Sequence, residues 1–133
     1  MSVVVGMSKT VETVVDEANI ATTAGSGLMD VFATPMMVAL MEMAASQCIQ
    51  KELEAGYSSV GTAVSVTHDA ATPMGMVVAA TATVTAVNGR LVEFSVEAND
   101  ACGKIGKGTH TRFIINCEKF AEKAKQKKES LGK

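Results

Sequence analysis

The chain has 133 residues, a formal net charge of −2 and few aromatic side chains: one Tyr, four Phe and no Trp. A weakly acidic chain with no basic face in its body and few stacking rings argues against nucleic acid as a partner, because phosphate neutralisation needs grouped cations and base stacking needs aromatic platforms. The length suits one domain, residues 1–133 including a charged tail over 119–133, with a core built from Val, Ala, Met, Leu and Ile.

Cys48, Cys102 and Cys117 form no CxxC or other metal-ligand spacing, and an odd number of cysteines points to reduced thiols. The N-terminal MSVVVGMSKT has neither a basic n-region nor a long apolar h-region. The longest uninterrupted apolar run around the central helix, Met36 to Met41, is far too short to cross a bilayer. The expectation is a cytoplasmic protein with no membrane segment, no metal and no cofactor.

In chain order, Lys9 to Val15 (KTVETVV) is β-branched with weak alternation and predicts a first strand. The following DEANIATTAGSGLMD reads as a loop, with Gly25-Ser26-Gly27 its loosest part. It is either a plain connector or a lid over a pocket. Phe32 to Leu53 is the organising stretch. Thr34 is placed as N-cap and Pro35 at the first helical position, where the missing N–H does no harm. From Met36 to Ala45 only Glu42 interrupts Met, Val, Ala and Leu, so the helix is expected to be wrapped by other structure and to end near Gly56.

Ser58 to His68 then alternates. Val60, Thr62, Val64, Val66 and His68 share one face, and Gly61 hints at a bulge or a close backbone approach. After a turn at Thr72-Pro73-Met74-Gly75, Met76 to Val87 points Met76, Val78, Ala80, Ala82 and Val84 one way and Thr81, Thr83 and Thr85 the other. Asn88-Gly89 predicts a type I′ hairpin turn into Arg90 to Ala98, with Val92, Phe94 and Val96 inward. A last strand covers Gly103 to Cys117, with Phe113-Ile114-Ile115 as its buried part, and the lysine-rich end reads as a solvated helix or frayed terminus. One long helix among runs of strands gives an α+β fold, an antiparallel β-sheet packed around one central α-helix. The Thr-rich outer sheet face is free to meet another subunit.

Two ionisable residues, Glu42 and His68, are expected to face the interior. A carboxylate and an imidazole in one dry cleft form a general acid/base pair, and Thr34 adds a hydroxyl where helix N-terminal amides favour developing negative charge. That set suits acyl transfer to water, with the amides polarising a carbonyl and Glu42, or a water it deprotonates, attacking. Thr34 and Glu42 lie eight residues apart on the helix, about 12 Å along its axis, so they do not touch. A substrate spanning both, a distorted helix start or a second subunit would complete the site; a dimer interface is favoured. Plainer readings stand beside these: an N-cap Thr, a structural acid satisfied by backbone, a core His. His110 lacks an obvious acid partner and is read as non-catalytic.

VFATPMMVALMEMAA, SSVGTAVSVTHDAATPMG and GKGTHTRFII resemble, in this order and spacing, the hotdog-fold thioesterases similar to fluoroacetyl-CoA thioesterase. The resemblance runs from Val11 to Cys117. It implies a homodimer, with stacking into a dimer of dimers left open, active sites at the dimer interface and an acyl-CoA substrate. It also implies a catalytic Thr34, Glu42 and His68, a Gly61 near the acyl group, and Arg112 with Lys104 and Lys107 as candidates for the CoA phosphates. The loop ATTAGSGLMD lacks the phenylalanines that form a lid in the fluoroacetyl-specific enzyme, so the implied activity is hydrolysis of short-chain acyl-CoA. A hotdog acyl-CoA hydratase and a non-catalytic acyl-CoA-binding protein are the competing readings.

Overall fold

The computed structural model describes residues 2–132; Met1 and Lys133, the latter the end of the expected tail, lie outside the described residues. The elements are β1 (Ser8–Val14), α1 (Ala21–Ala24), α2 (Thr34–Gln50), β2 (Tyr57–His68), β3 (Val77–Asn88), β4 (Leu91–Asp100), β5 (Gly103–Asn116) and α3 (Cys117–Leu131). The strands form one five-stranded sheet in the order β1-β3-β4-β5-β2, and every neighbouring pair is antiparallel. The α+β expectation is borne out.

The centre of the sheet follows the sequence pattern. Val78, Ala80, Ala82 and Val84 of β3, with Val92, Phe94, Val96 and Ala98 of β4, are buried on the face that receives α2. Three of these positions are alanine, and at Gly106 of β5 the Met37 side chain of α2 takes the space a Cβ would fill, so bulk on one layer meets its absence on the other. On the opposite face side-chain hydroxyls pair across strands, Thr10 with Thr81 at 2.7 Å and Ser8 with Thr83 at 3.3 Å.

Several expectations are corrected. The helix is apolar nearly all round, yet the sheet covers only one side: Ala39 and Met43 are exposed and Val38 is half-buried. Its N-cap is Ala33, without a side-chain cap, and Thr34 is the first helical residue. It ends at Gln50 with Lys51 as C-cap, earlier than Gly56, whose positive φ of 86° instead serves the turn into β2. The β3–β4 turn is centred on Gly89-Arg90, since Asn88 pairs with Leu91. Only Gly89 has positive φ, 62°, which is the requirement of a type II′ turn and not of type I′.

In β2 the register slips between Gly61 and Ala63. Directly opposed residues share a face, so Ser59 and Gly61 go with Ile114 and Arg112 before the slip, and Val64, Val66 and His68 go with His110, Gly108 and Gly106 after it. The expected inward face therefore holds for Val64, Val66 and His68 and fails for Val60 and Thr62. On β5 only Ile114 of the Phe113-Ile114-Ile115 run is buried; Phe113 is exposed.

The loop between β1 and α2 contains α1, closed by Gly25 at φ 76°. It is tied down at its base, where Ile20 bridges Phe32 and the Phe32 amide donates to the Thr72 carbonyl at 2.9 Å. Beyond β5, α3 starts at Asn116, whose side chain accepts from the Lys119 amide, and none of its residues is buried. Among the described residues no helix is long and apolar enough to cross a membrane.

Candidate active site

The residues singled out from the sequence fall into two groups along α2. The first is at the helix start. Thr34 Oγ1 lies 2.8 Å from His68 Nδ1, because β2 ends beside the first turn of α2. His68 is half-buried, and its Nε2 is shielded from water with no hydrogen-bond partner. Burial holds its pKa below the ordinary 6.5, against the opposing pull of the Asp69 carboxylate and of a backbone hydrogen bond to Ala70. Asp69 does not bond the ring; its carboxylate accepts from Thr67 Oγ1 at 2.8 Å. A cavity of about 240 Å³ opens here, lined by Thr34, His68, Phe32, Val31, Ala21 and Ser26 among others.

The helix start offers fewer free amides than expected. The Met36 and Met37 amides both donate to the Ala33 carbonyl, at 3.0 and 2.9 Å, and Pro35 has none. The Thr34 N–H is left as the free first-turn donor among the described residues, so polarisation of a carbonyl by the helix start comes from that one amide, the Thr34 hydroxyl being engaged with His68.

The second group surrounds Glu42. Its side chain is 40% exposed in this chain, so it does not share the dry interior expected for it. Arg112 Nη1 lies 3.8 Å from Glu42 Oε2. Arg112 is itself buried and held at three further points: Nε donates to Ser59 Oγ at 2.7 Å, Nη2 to the Ser59 carbonyl at 2.8 Å, and Nη1 sits 3.3 Å from His110 Nε2. Burial lowers the Arg112 pKa and Glu42 opposes that shift. Gly61 is needed here for space: a Cβ at that position would stand 2.7 Å from Glu42 Oε2 and 3.1 Å from His110 Cε1.

Glu42 and His68 of one chain are thus not an acid/base pair. One helix holds Thr34 and Glu42 about 12 Å apart, and the regular helix from Thr34 to Gln50 removes the option of a distorted start. The expected phosphate cations do not converge either. Arg112 faces α2 and is fully engaged, whereas Lys104 bonds Glu97 at 3.0 Å and Lys107 pairs in register with that same Glu97. His110, read as lacking an acid partner, has Glu42 close enough to raise its pKa and Arg112 beside it. Alternation contained the missing signal: with Ile114 inward, Arg112 and His110 must follow it at every second position. Among the described residues no group of three His, Cys, Asp or Glu could hold a metal ion.

Residues 15–118 match the family model for fluoroacetyl-CoA-specific thioesterase. The fluoroacetyl-CoA thioesterase of Streptantibioticus cattleyicolor is 48% identical over 98 residues, 74% of this chain and 70% of that protein. A crystal structure of a fluoroacetyl-CoA thioesterase superposes with a TM-score of 0.90 at 39% identity, covering 96% of this chain and 98% of that one. A thioesterase-superfamily protein of Thermus thermophilus gives 0.89 at 29% identity over 98% of this chain and 97% of its own. A hot-dog-like protein from Thermanaerovibrio acidaminovorans, at 23% identity, a TM-score of 0.84 and coverage of 92% of this chain and 91% of its own, shares the fold. The chain is a hotdog-fold thioester hydrolase and belongs to the fluoroacetyl-CoA-specific thioesterase family.

Proposed function

We propose that this protein hydrolyses short-chain acyl-CoA thioesters to the free acid and CoA, at sites built from Thr34 and His68 of one chain and Glu42 of a second copy. The observation that carries the reading is the Thr34–His68 hydrogen bond at 2.8 Å beside a cavity, with His68 Nε2 shielded and unpaired. When Thr34 Oγ1 donates to Nδ1, the neutral ring carries its proton on Nε2. Attack by the Glu42 carboxylate on the thioester carbonyl carbon breaks the C–S bond and leaves a mixed anhydride that water hydrolyses to the free acid. Alternatively, Glu42 deprotonates a water that attacks, and the C–S bond breaks as that adduct collapses. The departing thiolate accepts a hydrogen bond from Nε2–H and takes up the proton released by the water, so the ring ends neutral.

The case for a homodimer rests on what a single chain leaves open. β2 is an edge strand of 12 residues with Val64 44% exposed, and the uncovered side of α2 shows Met43 at 48%. A long edge strand with unpaired backbone N–H and C=O groups invites pairing with its own copy. A two-fold axis near Val64 would bring Gly61, and the Glu42 beside it, level with His68 of the partner subunit. Along antiparallel copies of α2, residue 38 is midway between 34 and 42, so Thr34 of one helix meets Glu42 of the other. One two-fold axis passing both Val64 and Val38 would satisfy both counts.

The family and its relatives act on fluoroacetyl-CoA by name, and one neighbour was crystallised with acetyl-CoA. In this chain the loop before α2 carries no aromatic residue at its tip, where Leu28 and Met29 stand exposed. We assign the loop the role of an aliphatic lid over a short acyl group. The hydratase reading is disfavoured because Asp69 bonds Thr67 and not His68.

Free-thiol release from a panel of short acyl-CoAs tests the reading, with Glu42→Gln expected to reduce kcat by about 10²- to 10⁴-fold. Tight CoA-ester binding without release would make the protein a sequestering module. Mixing Glu42→Gln chains with His68→Ala chains tests the shared site. Each mixed dimer then regains one complete site, so activity returns to about a quarter of wild type. No recovery would place each site within one chain.

A further inference from the structure

We infer that His110 is a positioning residue for Glu42: the neutral ring, fixed by the Ala63 carbonyl, holds Arg112 at the point where it meets the carboxylate. The inference rests on the reading of Glu42 as the attacking group or base.

The geometry determines the ring's protonation. His110 is buried, 2% exposed, with Nδ1 2.8 Å from the Ala63 carbonyl oxygen. A carbonyl only accepts, so Nδ1 carries a proton. Arg112 Nη1, 3.3 Å from Nε2, only donates, so Nε2 must be an unprotonated acceptor. Both bonds are satisfied together by one species, the neutral Nδ1–H tautomer. The Phe94 ring stacks against the imidazole at a centroid distance of 6.1 Å and fixes its plane.

The same Nη1 that His110 accepts from is the atom 3.8 Å from Glu42 Oε2. Ser59 anchors the other side of the guanidinium through Nε and Nη2. Ser59 therefore fixes where Arg112 sits, and His110 fixes the direction of the free corner. Arg112 then engages Oε2 and leaves Oε1 as the oxygen available to substrate. Around the ring the charged groups are Arg112 on its own strand and Glu42 from α2; β2 contributes a carbonyl and β4 an aromatic face. Burial and Arg112 lower the His110 pKa, while the Ala63 bond and Glu42 raise it, and the net direction is downward. Protonation would turn Nε2 from acceptor into donor and set two cations face to face.

Two substitutions separate this role from packing. His110→Gln can present an amide oxygen near the Nε2 position, and His110→Asn can present an amide nitrogen to Ala63 while offering Arg112 nothing. For a short acyl-CoA, Asn is expected to lower kcat by roughly 10- to 100-fold at nearly constant KM, the range for one hydrogen bond to a charged group. Gln should restore kcat to within about threefold of wild type. Equal losses in Gln and Asn, or losses that follow the melting temperature, would overturn the inference. Nitrogen NMR of histidine-labelled wild-type protein reads the ring directly; an Nε2–H ring or a cation at neutral pH would overturn it without any variant. Full activity in Glu42→Gln would instead sink the site reading on which this one stands, and that result is distinguishable from the others.

Discussion

The two halves of the sheet solve different problems. In the β3–β4 half the inward positions from Val78 to Val84 and from Val92 to Ala98 are Val, Ala and Phe in regular alternation, the register slipping only beyond Val84, and these residues form an apolar surface under α2. In the β5–β2 half the same inward row reads Gly106, Gly108, His110, Arg112 and Ile114, with a register slip in β2. Polar groups there are buried only because each is matched: Arg112 by Ser59, His110 and Glu42, His110 by Ala63. The first half supplies stability and the second gives part of that up to hold reactive groups.

A substitution in each half should separate these roles. Val78→Ala opens a cavity at a fully buried position in the apolar half and should lower stability by about 1.5–3 kcal/mol, read as a fall in the denaturation midpoint. Gly61→Ala acts in the other half. The nearest obstacle is the mobile end of Glu42, so the chain should fold while the carboxylate is displaced. The expected result is a loss of about 10- to 100-fold in kcat with stability changed by less than about 1 kcal/mol. If Gly61→Ala instead melts early with normal turnover, the glycine serves packing alone.

The same division explains how much of the molecule was legible in its sequence. The β3 and β4 faces followed directly from period-two alternation, because no irregularity intervenes until Val84. In β2 alternation was right from Val64 onward and wrong at Val60 and Thr62: one extra residue reverses the parity, and Gly61 gave notice of a bulge without showing which side of it slipped. The contact of Thr34 with His68 was not legible: the sequence reading paired His68 with Glu42 and gave Thr34 only the helix start. Their contact depends on the order β1-β3-β4-β5-β2, which puts β2 at an edge. The Arg112–Glu42 contact was missed because Arg112 was read as a surface cation for phosphates, whereas its position two residues from Ile114 already turned it inward. The helix seemed wrapped because hydropathy does not say whether the cover comes from the same chain.

A smaller effect on the same contrast comes from pH. His68 and His110, both in the polar half, have pKa values held below 6.5, chiefly by burial. The folded state therefore keeps them neutral at pH values where the unfolded chain already binds protons. Stability is complete above about pH 6.5 and falls as pH drops toward the folded-state values. Asp100, whose pKa is lowered first by the Thr72 hydroxyl and then by the Cys102 amide, acts in the same direction but only below about pH 4. Urea midpoints at about pH 7.5 and 5 isolate the histidines. The midpoint should fall between them, and the fall should shrink in His110→Gln; an unchanged midpoint would mean that neither ring is protected from protonation.

The smallest effect belongs to the outer face of the sheet. Lys104 and Glu97 form an ion pair at 3.0 Å with side chains 47% and 44% exposed, so water screens it and Lys104→Ala should change stability by less than about 1 kcal/mol. Its value is diagnostic. Lys104 and Lys107 lie together on the face turned away from α2, whereas Arg112 is on the face that holds Glu42. If the acyl-CoA phosphates cross that outer face, Lys104→Ala should raise KM severalfold with kcat unchanged. With substrate confined to the α2 side, both parameters should stay at wild-type values. The second result is the one expected, because Glu97 already pairs with Lys104 and stands opposite Lys107, leaving little positive field there for a phosphate.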